Sequence, residues 1–261
     1  MEYEKTVTGI GSVPFDNVKQ ALEYSLSHPI PFLPELTTKG ETMMEYIKSP
    51  GILQCLKDFK VETRRRKLTT VKVQSIGPAT LAHAHVVTRG REGYTDTESV
   101  RRVKQHVNRI LEGLIADEII LFLDEPSLEH AEKIPYVAMW HEIFEKLPPN
   151  VTRGIHSCGN ANWERVFRAS YLDIVSYDAS MYNITRTENY PAFRQRGRLA
   201  HGIAKIGDAK DYRCRLFFGK SYDLITPPCG ISHLSPNAAH CKEDLRELIK
   251  IAEKLQRRRF R

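Results

Sequence analysis

The sequence predicts an α/β fold in which a single closed (β/α)8 barrel covers residues 1–261. The length of 261 residues fits one barrel domain. Eight short apolar or β-branched runs alternate with helical patterns along the chain, as the strand–helix units of a parallel sheet do. No internal repeat or low-complexity linker interrupts this alternation. Closing eight parallel strands into a barrel leaves no edge strand, so one domain is expected.

The predicted elements follow in chain order. The strands cover residues 6–10, 31–35, 70–74, 119–124, 153–157, 174–178, 199–203 and 223–226. Between them, residues 97–116 and 135–147 carry apolar side chains at helical spacing and predict helices. Ser235 and Pro236 mark the start of a last helix that runs through Lys254, since proline is favoured in the first helical position. Residues 83–96 predict the longest loop, either a flexible flap or an ordinary surface loop.

Composition indicates a globular protein, with 41% hydrophobic and 27% charged residues. No segment contains the roughly 18 apolar residues of a membrane span, and the first residues lack the features of a signal peptide. An odd, scattered set of cysteines argues against a disulfide framework and favours a reducing compartment. A cytoplasmic protein with no membrane association is therefore expected. The cysteines are Cys55, Cys158, Cys214, Cys229 and Cys241.

Much of the formal net charge of +7 comes from two basic runs, residues 64–67 and 257–261. Such runs can bind nucleic acid. Neither run accompanies a known nucleic-acid motif, and no aromatic side chains interleave the first one. We therefore interpret them as a solvated loop and a basic C-terminus, and expect no nucleic-acid partner.

Polar side chains occur at the C-terminal end of every predicted strand. In a (β/α)8 barrel these ends carry the catalytic residues, whereas the opposite face serves stability. We therefore expect the side chains to converge on one rim. They are Ser12, Glu35, Gln74, Asp124, Glu125, His156, Cys158, Asp178, His201 and Cys229.

Part of this rim predicts a metal site. His156 and Cys158 are two positions apart, so at a strand end both side chains can point to one side and reach one ion. The pair is a weak signal by itself, since a lone histidine near a core is more often structural. Cys229 strengthens it, because two prolines stiffen the chain before it and a glycine follows. Asp178, from another strand, completes a set of four ligands.

Zinc suits two thiolates, one imidazole and one carboxylate arranged as a tetrahedron. Three negative charges against two positive ones make such a site a poor Lewis acid toward water. The site can still lower the pKa of an incoming thiol and deliver a thiolate nucleophile at neutral pH. Cys158 and Cys229 are far apart in sequence, unlike the paired cysteines of zinc fingers, so a purely structural zinc is the less favoured interpretation.

At these residues the chain resembles the catalytic domain of cobalamin-independent methionine synthase. More broadly it resembles a barrel superfamily that also contains methylcobamide-dependent thiol methyltransferases and uroporphyrinogen decarboxylase. The resemblance covers nearly the whole chain. The matching segments are Thr8-Gly9-Ile10-Gly11-Ser12, Leu33-Pro34-Glu35, residues 74–80, Leu123-Asp124-Glu125-Pro126-Ser127-Leu128, residues 155–159, residues 173–178 and Pro228-Cys229-Gly230.

For the metal, the resemblance implies that His156, Cys158 and Cys229 are zinc ligands. Asp178 stands where the synthases use glutamate, and its side chain is one methylene shorter. This difference changes how the carboxylate oxygen would approach the ion.

For the substrate, the resemblance implies that Asp124 and Glu35 are acidic residues of the catalytic site, with Asp124 holding the amino group of an amino-acid thiol. Ile10 and Ser12 lie in a loop similar to the one whose backbone meets the substrate carboxylate. A structural alternative exists for Asp124 and Glu125, as the N-cap of a helix and the acid of its first turn.

The leading prediction is a zinc-dependent methyltransferase that acts on a small thiol, with homocysteine as the best guess and methionine as the product. The synthases carry a second, N-terminal barrel that helps bind folate, and 261 residues do not accommodate it. A methylated corrinoid, either methylcobalamin or a corrinoid protein, is therefore the expected donor. Two alternatives stay open: a metal-free decarboxylase of the uroporphyrinogen type, and a non-catalytic module that binds zinc or a corrinoid protein.

Overall fold

The computed structural model describes residues 6–48, 53–88, 94–203, 223–231 and 238–257. These residues form an α/β structure. Its strands are β1 (Ser12–Val13), β2 (Glu35–Leu36), β3 (Thr70–Ile76), β4 (Glu118–Asp124), β5 (Val151–Ser157), β6 (Ile174–Asp178), β7 (Arg198–Gly202) and β8 (Leu224–Thr226). Its helices are α1 (Val18–Leu26), α2 (Met43–Lys48), α3 (Leu56–Arg65), α4 (Pro78–Thr88), α5 (Asp96–Leu111), α6 (Tyr136–Phe144), α7 (Trp163–Phe167), α8 (Tyr190–Arg196) and α9 (Ala238–Arg257).

All strand pairs are parallel. Strands β3 to β8 form one six-stranded sheet in which each strand pairs with the next along the chain, and β1 pairs with β2. Two isolated parallel bridges, Val7 with Ile225 and Phe32 with Lys72, lie outside these ladders. Backbone hydrogen bonds of 2.7 to 3.2 Å accompany both bridges. The chain around β1 and β2 is thus hydrogen-bonded to both edges of the six-stranded sheet.

Six of the eight predicted strands are confirmed, with ends that differ by at most two residues. The two predicted nearest the N-terminus are wrong in position. Gly11, with φ of +117°, interrupts the extended chain after residues 6–10, so β1 begins only at Ser12. Pro31 and Pro34 lack the N–H groups that a continuous ladder needs, so β2 begins only at Glu35.

The predicted helices 97–116 and 135–147 are present as α5 and α6, both shorter than predicted. Gly113, with φ of +69°, lies just beyond the end of α5. The predicted loop over 83–96 is wrong in its first part, because α4 continues to Thr88 with Leu81 and Ala82 buried in the core. Ser235 and Pro236, the predicted start of the last helix, lie outside the described residues.

Alternation along the strands gives the sheet two buried faces. On β4, Leu121 and Leu123 belong to the large apolar cluster that includes the helices. Ile120 and Phe122 point the other way, into a separate small cluster with Ile10, Ile30, Ile174, Ala200 and Leu224. Asp124 continues the alternation of Ile120 and Phe122. This second face, here called the inner face, therefore carries the polar side chains considered below.

Two predictions about the surface can be compared with the structure. No helix of the described residues is long and apolar enough to cross a membrane. The basic run 64–67 is exposed at the end of α3, where Arg65 and Arg66 form ion pairs with Glu62. The run is therefore exposed to solvent, but Arg64 and Arg65 belong to α3 and not to the predicted loop. Most of the second run, residues 258–261, lies outside the described residues.

Candidate functional site

His156 is the most deeply buried of the predicted ligands. It lies near the C-terminal end of β5, where it is the Cα partner of Asp124 on one side and of Ser176 on the other. Its Nδ1 lies 2.9 Å from the Ser176 hydroxyl. Its Nε2 is buried and has no hydrogen-bond partner among the described residues. Burial and, second, the charge of Lys72 lower the pKa of His156 to about 3, so the imidazole is neutral at pH 7.

Cys158 and Cys229 come together from two strands of the six-stranded sheet that are not neighbours. Cys158 follows β5, Cys229 follows β8, and both are partly exposed. A hydrogen bond between the two thiols and, second, burial raise the pKa of Cys158. Gly230 permits a close approach of this loop to β1, since a Cβ there would stand 1.7 Å from the Ser12 hydroxyl oxygen. The structure thus juxtaposes two thiols that the sequence separates widely.

Asp178 lies at the C-terminal end of β6, two residues beyond Ser176 and therefore on the same face. Its Oδ1 accepts hydrogen bonds from the Ser180 backbone N–H, at 2.8 Å, and from the Ser180 hydroxyl. The carboxylate therefore closes the turn after β6. Within the described ranges, no three His, Cys, Asp or Glu side chains are close enough together to hold a metal ion.

The chemistry of the individual donors nevertheless fits zinc. Zinc prefers nitrogen and sulfur donors. The structure offers two thiols in mutual contact and a buried neutral imidazole, whose Nε2 has no partner among the described residues. The structure brings Cys158 and Cys229 together, and His156 lies two residues before Cys158 near the end of β5. Among the described residues, it does not bring any three of the four predicted ligands close enough together to hold an ion.

A buried polar cluster lies on the inner face beside these donors. Lys72 is fully buried, with its Nζ 3.0 Å from Gln74 Oε1 and 5.0 Å from the centre of the Phe122 ring. Gln74 Nε2 in turn donates to Glu35 Oε1 at 2.9 Å. Asp124 is 1% exposed, and its Oδ1 has no partner among the described residues. The charge of the buried Lys72 ammonium group thus acts on both carboxyl groups, and Glu35 alone also accepts from the Gln74 amide.

Burial dominates the electrostatics of this cluster. It raises the pKa of Glu35 to about 7, while the hydrogen bond from Gln74 and the charge of Lys72 oppose the rise. It lowers the pKa of Lys72 to about 8 and raises that of Asp124 well above its usual range. A carboxyl group with an unpartnered oxygen in such surroundings would gain from a cationic ligand, because the ligand would compensate its charge.

Sequence reasoning missed Lys72. Its signal is the strand pattern Thr70-Val71-Lys72-Val73-Gln74, in which Val71 and Val73 belong to the large cluster and the polar residues alternate with them. A lysine in the middle of a buried strand needs a compensating partner. Ile10 and Ser12 border the same cluster: Ile10 belongs to the inner apolar cluster, and Ser12 is the Cα partner of Glu35.

Glu125 is a structural residue, in contrast to the other acids of the rim. Its carboxylate accepts hydrogen bonds from the backbone N–H groups of Ala79 and Thr80, from the Thr80 hydroxyl and from Trp140 Nε1. It thereby caps the N-terminus of α4, not the helix that follows its own strand. The sequence alternative made Glu125 the first-turn acid of a helix after its own strand, whereas the structure places its carboxylate at the start of a helix that precedes that strand. Among the described residues, Asp124 makes no such contact to a helix N-terminus.

The prediction that His201 joins the rim is wrong. Its neighbour Ala200 occupies the inner face, so His201 points to the helix side of β7. There its Nε2 lies 3.1 Å from Asp223 and its Nδ1 lies 3.0 Å from the Tyr177 hydroxyl. Asp223 also pairs with Arg194 at 2.7 Å. This buried network links β6, β7, β8 and α8 away from the candidate site.

The fold and the site together define an α/β protein whose donors collect at the C-terminal ends of parallel strands. No protein-family model and no curated protein matches the chain. Its fold is similar to that of a B12-independent methionine synthase from Shewanella sp. W3-18-1 in complex with selenomethionine, with 14% identity over 78% of this chain and 67% of that one (TM-score 0.53). It is also similar to that of a methyltransferase from Methanosarcina mazei, with 13% identity over 94% and 80% of the two chains (TM-score 0.56). At these identities the likeness establishes the fold.

Proposed function

We propose that the protein is a zinc-dependent methyltransferase that activates a small thiol, with homocysteine as the best candidate. The observation that carries the proposal is the contact between the Cys158 and Cys229 thiols, together with the buried Nε2 of His156, which has no hydrogen-bond partner among the described residues. Zinc held by these residues would lower the pKa of an incoming thiol. Asp178 is the proposed fourth, oxygen ligand, and its present contacts to Ser180 make it the ligand most easily exchanged for the substrate.

Asp124 and Glu35 support an amino-acid thiol as the substrate. In this proposal the substrate ammonium group donates to the unpartnered Oδ1 of Asp124 and to Glu35. Lys72 compensates the charge of one of the two carboxylates, so the other carboxylate remains to pair with the substrate ammonium group. The thiolate sulfur then attacks the methyl carbon of the donor. A carbon–sulfur bond forms, and the bond between methyl and donor breaks with its electron pair staying on the donor.

The complete fold in this proposal is one closed (β/α)8 barrel. The bridges of Val7 to Ile225 and of Phe32 to Lys72 support it, because they connect the β1–β2 segment to β8 and to β3. The two similar structures support both the barrel and the reaction class, since one is described as a methionine synthase and the other as a methyltransferase. Closure would explain why Cys229, after the last strand, meets Cys158.

A methylated corrinoid, free or protein-bound, is the proposed methyl donor. A methyl group on cobalt reacts far more readily with a thiolate than a methyl group on the tertiary amine of folate. A corrinoid donor therefore requires less activation by the protein. The exposed basic run 64–67 could recruit an acidic corrinoid protein by long-range attraction that weakens with added salt.

Metal analysis of protein purified without chelator tests the central proposal. We expect about one zinc per chain, since the four proposed donors would supply the ligands of one tetrahedral site. Cys158→Ser and Cys229→Ser should each lose the metal. Cys55→Ala and Cys241→Ala are matched controls that should keep it, because both thiols are buried in the apolar core; Cys214 lies outside the described residues. Full zinc occupancy in both serine variants would refute the proposed site.

A further inference from the structure

Ser176 stands against the predicted ligand His156 on the inner face. It is the Cα partner of His156 in the β5–β6 ladder, so the register of two parallel strands places the two side chains side by side. Its hydroxyl oxygen lies 2.9 Å from Nδ1 of the imidazole. Both residues are almost completely buried, at 0% and 2% exposure, so water does not compete for this contact.

The contact decides which nitrogen of His156 remains available. A neutral imidazole carries one N–H group, and the other nitrogen keeps its lone pair. When the serine hydroxyl oxygen accepts a hydrogen bond from Nδ1–H, the lone pair remains on Nε2. Nε2 is the nitrogen that is buried without a partner among the described residues. The opposite tautomer would leave a buried N–H group with no acceptor among the described residues, which is unfavourable because the group has lost its hydrogen bonds to water.

We propose that Ser176 is a positioning residue that holds His156 as its Nδ1–H tautomer, with Nε2 presented to the metal. The inference rests on the proposed zinc site. Histidine ligands commonly donate their second N–H to a carboxylate or a carbonyl group. A serine orients the ring without adding a negative charge, which suits a site that already contains two thiols and Asp178.

The test is the zinc affinity of Ser176→Ala, measured by competition with a chromophoric chelator. We expect Kd for zinc to rise about 10- to 100-fold, while saturating zinc still gives one ion per chain. Ser75→Ala is the matched control, because Ser75 is also a fully buried strand serine, and its hydroxyl group donates to the Ile76 carbonyl group of its own strand and not to a histidine. Its Kd should equal that of the wild type. Ser176→Thr keeps the hydroxyl group and should restore most of the affinity.

Nitrogen NMR of wild-type protein labelled at histidine gives a second measurement that needs no variant to fold. With zinc bound, the His156 signals should show a protonated Nδ1 and a metal-bound Nε2. A wild-type Kd in Ser176→Ala, or a metal-bound Nδ1, would overturn the inference and leave the zinc site standing. Absence of zinc binding by the wild-type protein would overturn both.

Discussion

Glu125 offers a direct test of how the site is supported. It is 0% exposed, and its two oxygens accept four hydrogen bonds of 2.7 to 3.0 Å from Ala79, Thr80 and Trp140. Gly77 permits this approach, since a Cβ at that position would stand 2.0 Å from the carboxyl carbon. Burial raises the pKa of Glu125, and the four donors oppose the rise by stabilising the ionised form.

In Glu125→Gln the oxygen that replaces Oε1 can keep its bonds to Ala79 and Trp140. The amide group that replaces Oε2 then faces the Thr80 N–H, and two donors meet. Each hydrogen bond to a charged group contributes about 1.5–3 kcal/mol, and relief from burying a charge offsets part of the loss. We expect the free energy of unfolding to fall by about 2–4 kcal/mol.

Urea unfolding followed by tryptophan fluorescence measures this change, because Trp140 itself bonds to Glu125. Glu129→Gln, four residues along and exposed, is the matched control and should change stability by less than about 0.5 kcal/mol. Zinc content should stay at the wild-type value in both variants, since Glu125 is a structural residue. A loss below about 0.5 kcal/mol in Glu125→Gln would refute the capping role.

The other predictions concern the acceptor, a buried network and the donor. Asp124→Asn should weaken use of an amino-acid thiol by about 1.5–3 kcal/mol in kcat/KM and leave zinc bound; equal loss with a thiol lacking an amino group would contradict this role. Asp223→Asn should lower the free energy of unfolding by about 3 kcal/mol at pH 7, because it leaves the Arg194 guanidinium group without its buried counter-charge. Burial favours a higher pKa for Asp223, but hydrogen bonds and charge from His201 and Arg194 lower the pKa on balance. The stability that Asp223 contributes should therefore be present above about pH 4 and should decrease as the pH falls further. This pH dependence should be absent from Asp223→Asn. Loss of methylcobalamin absorbance with homocysteine and zinc-loaded protein would support the corrinoid donor. Zinc-dependent turnover with methyltetrahydrofolate and none with methylcobalamin would contradict it.

Local sequence patterns predicted most of the sheet. Strands β3 to β8 are recognisable because both of their faces are buried, so each reads as a short apolar run between helical segments. The first two strands and the first part of the 83–96 loop were predicted wrongly for local reasons. Pro31 and Pro34 remove ladder donors from an otherwise apolar run, and the φ of Gly11 interrupts another. Residues 83–88 include polar side chains, yet α4, which buries Leu81 and Ala82, continues through this segment to Thr88.

The sequence predicted only part of the candidate site. The period of two along β5 correctly separated His156 from its neighbours, because alternation is a property of one strand. His201 was assigned to the rim only as a polar residue near the end of β7, and its position next to the inward-facing Ala200 puts it on the other face. Lys72 was missed because a lysine in sequence looks like a solvent-facing residue. Its burial depends on Gln74, Glu35 and Phe122 arriving from the same and neighbouring strands.

The sequence alone was enough to predict the order of most strands and helices and the residue types available at the strand ends. These properties depend on spacing within about ten residues. Only the tertiary structure decided which side chains meet: Cys158 with Cys229, His156 with Ser176, and Glu125 with α4. Their partners lie on different elements, so contact depends on strand register and on the packing of the whole sheet. Spacing along one segment does not encode those distances.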